Sequence, residues 1–137
     1  EIGGVLTFVI RGRIAAVTGR PDAAMEVPKV LHYRTGETFA EHFDYLDPDE
    51  PAYARELAVR GQRAQTFLIY LNDEFSGGET YFPELELRHA GAAGDAVVFS
   101  NVAADGKPDK ATRHAGLPPT EGEKWLFSQW IRELPRN

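Results

Sequence analysis

The chain contains no cysteine. That excludes a disulfide framework and any zinc–thiolate site. It also suits a reducing compartment, so a cytoplasmic location is the expectation. Positive charge is scarce: 15 Lys and Arg face 21 Asp and Glu, for a net charge of −6 and a pI near 5.2. A phosphate-binding surface needs a concentration of Lys and Arg, so nucleic acid is not expected as a partner. Long apolar runs are missing too. The most apolar text near the N-terminus, GGVLTFVIRGRIAAV, is broken by Arg11 and Arg13. It is too short and too charged to cross a bilayer and carries no basic leader, so no membrane partner is expected. There is no repeat and no low-complexity tract. Glu1 stands where an initiator methionine would. The expectation is a trimmed chain, with any targeting segment outside this text.

What is present is a globular composition: 42% hydrophobic and 11% aromatic residues in 137. This length predicts one domain over residues 1–137, able to bury roughly 68–70% of its unfolded surface. Phe8, Ile10, Ile14, Ala15 and Val17 recur at helical spacing, and Gly19 and Pro21 close the pattern. They predict a helix over about 7–19, packed on one side of something larger. From about 27 to 134 the period changes to that of strands. VPKVLHYR, TFAEHFDYL, RAQTFLIYLND, ETYFP, LELRH, AVVFSN, ATRHAGL and KWLFSQWIREL read as about eight short strands. EFSGG, GAAGD and PPTEG read as turns between them. The stretch DPDEPAYARELAVRGQ reads as a long polar connection with at most one helical turn. An all-β core of eight short strands behind one helix predicts a jelly roll, within an α+β whole.

The candidate chemistry begins with His42 and Asp44. Residues two apart on a strand face the same way, so the pair can offer two metal ligands side by side. A chance surface histidine beside a carboxylate is the bland alternative. Of the other histidines, His32 lies opposite in facing to Tyr33, and His89 borders a turn that reads as exposed. His114 lies late, on a strand before a proline-rich turn. Two histidines and one carboxylate form the facial triad of non-heme iron(II) oxygenases, although zinc in a hydrolase uses the same donors. Lys124 favours iron. It opens the last strand ten residues after His114, sharing a face with Leu126, Ser128 and Trp130. A surface lysine lying along apolar neighbours is the alternative. An anion anchor at a barrel mouth is what a buried dicarboxylate co-substrate needs.

With these motifs the chain resembles the iron(II)/2-oxoglutarate dioxygenases of the prolyl 4-hydroxylase type. The resemblance runs through VLHYRTGETFAEHFDY, RAQTFLIYLNDEFSGGETYFP, GDAVVFSN and TRHAGLPPTEGEKWLFSQWI, and covers most of residues 27–132. It implies a double-stranded β-helix, iron(II) on His42, Asp44 and His114, and Lys124 paired with the far carboxylate of 2-oxoglutarate. It implies that Tyr33 holds the same carboxylate, and that Thr80, Trp130 and Tyr70 belong to the co-substrate pocket. It implies dioxygen as co-substrate, ascorbate as reductant, and succinate and carbon dioxide as products of a C–H hydroxylation. The substrate it implies is a prolyl residue in a peptide or protein, contacted by Arg63 and Trp130. Phe39 stands where relatives commonly carry tyrosine, so a substrate hydrogen bond is expected to be missing. A free amino acid or other small molecule is the competing substrate. A non-catalytic jelly-roll binding module and a zinc hydrolase are the competing classes. The segment from Leu46 to Gln62 is placed to act as a lid over the site.

Overall fold

The computed structural model describes residues 4–136, and Glu1 lies outside them. Its elements in chain order are helix α1 (Val5–Thr18), strands β1 (Lys29–Tyr33) and β2 (Phe39–His42), helix α2 (Ala54–Arg60), then β3 (Arg63–Tyr70), β4 (Phe75–Gly77), β5 (Thr80–Phe82), β6 (Leu87–His89), β7 (Ala96–Ser100), β8 (His114–Gly116), β9 (Pro119–Gly122) and β10 (Lys124–Arg132). Two four-stranded sheets run in the orders β1-β10-β3-β7 and β2-β8-β5-β6, and every pairing in them is antiparallel. The chain passes back and forth between the two sheets, which is the jelly roll that the strand count predicts.

The first sheet has a dry outer face. Phe67 of β3 and Phe127 and Ile131 of β10 are buried against Ile14 of α1 together with Ala24 and Met25. Strand period 2 therefore sends Thr66, Leu68, Lys124, Leu126, Ser128 and Trp130 to the inner face, toward the second sheet. Arg11 fixes α1 to the sheet. Its guanidinium donates to Gln129 Oε1 at 3.1 Å and to the Glu26 carbonyl at 2.8 Å. Gly19 ends the helix in the left-handed region at φ 68°, as the sequence predicts. The helix starts two residues earlier than its periodicity suggests. Phe8 and Val17, expected on its packed side, are instead exposed. Only Ile10, Ile14 and Ala15 reach the core.

Three sequence readings need correction. EFSGG and PPTEG are not simple turns: β4 and β9 pair as a separate two-stranded ribbon, Phe75 opposite Gly122. TFAEHFDYL is not one strand, because β2 stops at His42 and Asp44 lies in a bend. The connection 46–62 is largely ordered, with a single turn at Pro51–Tyr53 running into α2. Its two ends are tied together by Gln62, whose amide accepts from the Leu46 N–H at 2.6 Å and donates to the Leu46 carbonyl at 2.7 Å.

Candidate metal centre and anion pocket

Cross-strand register builds the centre. In the β2–β8 pair, His42 stands directly opposite His114, and their ring centroids are 4.3 Å apart. Asp44 follows two residues on. Burial still alternates past the strand end, so its side chain turns inward although its backbone has left the ladder. Asp44 Oδ1 lies 3.6 Å from His42 Nε2, and Oδ2 lies 3.7 Å from His114 Nε2. One donor atom from each of the three falls within 4.8 Å of the others.

The imidazole tautomers follow from the backbone. His42 Nδ1 is 2.8 Å from the Ala40 carbonyl, and His114 Nδ1 is 2.9 Å from that of Thr112. A carbonyl only accepts, so each Nδ1 carries the proton and each Nε2 presents a lone pair. That is the arrangement of metal-binding histidines whose second nitrogen is held by a carbonyl. Burial pushes His114 below the ordinary imidazole range, only partly offset by Asp44, which favours the neutral ligand form. Burial acts on His42 in the same sense, but the nearby Asp44 carboxylate and the Ala40 carbonyl outweigh it and leave the group raised. Asp44 is pushed up by burial, yet the adjacent His42 and His114 rings and the Thr66 hydroxyl bring it below the usual carboxylate value. Two neutral nitrogens and one anionic oxygen fit a divalent first-row metal, with iron(II) the one that oxygenases hold on this donor set.

The three side chains and Lys124 line the same open-mouthed cavity. Lys124 is fully buried. Its ammonium donates to the Gly78 carbonyl at 2.6 Å and lies 4.4 Å from the centre of the Tyr33 ring. Among the described residues it has no carboxylate partner. Burial lowers it to about 8 against a small opposing pull from Glu79. A buried cation with one carbonyl and an aromatic face is under-compensated, and the cavity beside it has room for an anion. Gly78 sits at φ +66°, and a Cβ there would press on the Phe75 ring at 3.2 Å, so this turn requires glycine. The Tyr33 phenol is pushed up to about 12, by burial first and then by the Asp44 charge. It therefore stays protonated and can donate to an anion.

The other predicted residues divide into two groups. Thr80, Trp130 and Phe39 line the cavity, Phe39 at its exposed edge with its ring 4.2 Å from His42. Tyr70 does not line it: it is fully buried, and its hydroxyl is spent on the His89 carbonyl at 2.7 Å and Thr80 Oγ1 at 3.0 Å. Tyr70 thus reaches the pocket only through Thr80. Arg63 does not line it either. It is held by both carboxylate oxygens of Glu26, at 2.8 and 3.1 Å, and its guanidinium lies 3.7 Å from the centre of the Trp130 ring. Lys29 approaches the same ring at 4.3 Å from the neighbouring strand. Arg63 is placed to support Trp130, and its Nη1 also donates to the Asp44 carbonyl at 3.3 Å. His32 stacks on Trp125 and pairs with Glu123, away from the centre. His89, expected to be exposed, is half-buried edge-on to Tyr70.

Sequence reasoning passed over Thr66 and Asn101. Thr66 Oγ1 donates to Asp44 Oδ2 at 2.7 Å, and Asn101 Nδ2 donates to Thr66 Oγ1 at 2.9 Å. The available signal was a hydroxyl in the middle of the apolar run of β3, on the face shared with Leu68.

Comparison with known proteins agrees with this geometry. The family model of the 2OG-Fe(II) oxygenase superfamily matches residues 28–132. The chain is 38% identical over 124 residues to prolyl 4-hydroxylase subunit alpha-1 of Rattus norvegicus, which is 90% of this chain and 23% of the relative. It is 40% identical over 106 residues to a putative prolyl 4-hydroxylase of Acanthamoeba polyphaga mimivirus, covering 77% of this chain and 44% of the relative. The chain thus spans under half the length of these relatives. Among solved structures, a viral collagen prolyl hydroxylase from Paramecium Bursaria Chlorella virus-1, in its 2OG complex, superposes with a TM-score of 0.69 at 30% identity. That alignment covers 93% of this chain and 70% of the other.

Proposed function

The chain belongs to the 2OG-Fe(II) oxygenase superfamily, and on that premise we propose that it hydroxylates a prolyl residue in a peptide or protein. The observation that carries the reading is one cavity lined both by a two-histidine, one-carboxylate donor set and by a buried lysine with no carboxylate partner among the described residues. The bound iron(II) would supply dioxygen activation, coupling conversion of 2-oxoglutarate and O₂ to succinate and CO₂ with oxygen insertion into a substrate C–H bond. His42 and His114 offer Nε2 lone pairs, and Asp44 offers the one negative charge. Lys124 binds the far carboxylate of 2-oxoglutarate, Tyr33 donates a phenolic hydrogen bond to it, and Thr80, oriented by Tyr70, completes the polar lining. Leu31, Leu68 and Leu126 line the cavity with apolar surface and exclude water from the reacting end.

Peptidyl substrate is favoured over a free amino acid by Arg63. A free acid needs a cationic partner; Arg63 is committed to Glu26 and the Trp130 ring, and the Lys29 ammonium on the cavity lining already lies over that same ring. Trp130 and Phe39 at the mouth offer aromatic surface to a proline ring. Phe39 has no hydroxyl, so binding there relies on apolar contact. The test is succinate release from 2-oxoglutarate with iron(II) and ascorbate, across proline-rich peptides and free proline, with mass spectrometry of each. A gain of one oxygen on a peptide proline is expected. Turnover of free proline alone would reverse the substrate choice, and no succinate under any condition would remove the oxygenase reading.

A further inference from the structure

The mechanism above uses Asp44 as a ligand but leaves open what holds its carboxylate in place. The backbone contributes one bond, from Arg63 Nη1 to the Asp44 carbonyl at 3.3 Å, and no strand pairing, because β2 has ended and the residue lies in a bend. The side chain is held from behind, by a chain of two buried polar groups that no ligand contact requires. Thr66 and Asn101 are both fully buried and neither lines the cavity.

We infer that Asn101 and Thr66 are positioning residues, a one-way hydrogen-bond relay that fixes the metal-binding carboxylate of Asp44 and reserves its Oδ1 for the ion. This rests on the reading of His42, Asp44 and His114 as the metal centre. The direction of the relay follows from donor and acceptor counts. An ionised carboxylate only accepts, so the single hydroxyl proton of Thr66 points to Asp44 Oδ2, at 2.7 Å. The hydroxyl oxygen must then accept, and the group facing it at 2.9 Å must be the amide nitrogen of Asn101. That fixes the orientation of the Asn101 amide, with its Oδ1 turned away from Thr66. The Asn101 backbone is pinned as well: its N–H donates to the Ala64 carbonyl at 2.8 Å and its carbonyl accepts from Asp109 at 2.9 Å. The relay therefore starts from a rigid point at the end of β7. Asp44 Oδ1 accepts no hydrogen bond among the described residues and faces His42 Nε2 at 3.6 Å.

The measurement is Mn(II) affinity of the metal-stripped protein by titration calorimetry at fixed pH, for wild type, Thr66→Val, Thr66→Ser, Asn101→Asp and Asp44→Ala. Thr66→Val keeps the shape and removes the proton. It should weaken Mn(II) by about 10- to 100-fold, the usual range for losing a group that orients a ligand. Thr66→Ser should recover most of that loss. Asn101→Asp places an acceptor against the hydroxyl and draws its proton away from Asp44, so it should weaken Mn(II) to a similar degree. The absorption spectrum of bound Co(II) should change in Thr66→Val and return in Thr66→Ser, a signature that loss of general stability would not produce. Wild-type Mn(II) affinity in both Thr66→Val and Asn101→Asp would overturn the relay while the metal centre stood. Wild type that bound Mn(II) no better than Asp44→Ala would overturn the metal centre, and the relay with it.

Discussion

The two sheets of the barrel differ in construction. The sheet β1-β10-β3-β7 has strands of five, nine, eight and five residues, with α1 laid on its outer face. The sheet β2-β8-β5-β6 has strands of four, three, three and three residues, and its register breaks between Phe39 and His42. The long sheet carries Lys124. The short one carries both histidines and delivers Asp44 just past its edge. A three-residue strand makes few ladder hydrogen bonds, so the donor set is held by side-chain bonds to carbonyls and to Thr66. The lesson is a division of labour: the anion site belongs to the rigid sheet, and the metal site belongs to the sheet with least backbone support.

The largest effect that would test this division is loss of a metal ligand. Asp44→Ala leaves two neutral imidazoles for a divalent ion and should abolish turnover and measurable Mn(II) binding. His114→Ala should do the same, and calorimetry with succinate release checks both. Lys124→Ala acts on the other sheet. Removing one partner of a buried charge pair costs about 2–5 kcal/mol, or roughly 30-fold to several thousand-fold in affinity. The loss should appear in 2-oxoglutarate binding, with Mn(II) affinity nearly unchanged. If the two affinities fell together, the sites would not be separable.

Metal removal should sort the sheets by stability. A ligand at a hundred times its Kd adds about 2.7 kcal/mol to the folded state. On stripping the ion, hydrogen exchange should quicken in β2 and β8 well before β3 and β10. Uniform acceleration across both sheets would erase the distinction drawn here.

Raising the pH should act on the Lys124 end. Its value of about 8 means that the ammonium is intact below that pH and lost above it. Affinity for 2-oxoglutarate should then fall roughly tenfold per pH unit above about 8. The stability of the unliganded protein should move the other way. Lysine in the unfolded chain keeps its ordinary value of 10.5, so between about 8 and 10.5 the unfolded state binds more protons and folding gains as pH rises. Calorimetry and chemical denaturation over pH 7–10 separate the two slopes. The smallest effects belong to His32→Ala and His89→Ala, which should leave turnover within about twofold, since neither side chain lines the cavity.

Much of this was readable from residue order. β3 and β10 stand out because β-branched and aromatic residues crowd a run too long for a turn, and their alternation placed Lys124 and Trp130 on one face. His42 and Asp44 declare themselves by spacing, although the reason they converge is a bend and not a shared strand. The β4–β9 ribbon was hidden because Gly77, Gly78 and Pro119 are turn-forming residues, and long-range pairing such as Phe75 with Gly122 overrides that local preference. Arg63 misleads in the opposite direction. Its partner Glu26 lies 37 positions away, so its occupation by an ion pair is a tertiary fact. Thr66 shows only as a hydroxyl inside an apolar run, and Asn101 carries no local signal of its role, because a buried amide and a surface one are written with the same letter.

The amide of Gln62 closes a neck. It joins Leu46, two residues beyond the metal-binding Asp44, to the threshold of β3. Glu56, Arg60 and Gly61 are tied back to Arg132 and to the Ala23 and Ala24 carbonyls, so the part that hangs outside the closure is 47–55. A segment bounded in this way is a cassette. Doubling the length of such a loop adds only about 0.6 kcal/mol of closure entropy, and the neck keeps the change from reaching the bend that aims Asp44. Residues 47–55 can therefore be rewritten, lengthened or exchanged while the metal centre and the lysine pocket stay as they are.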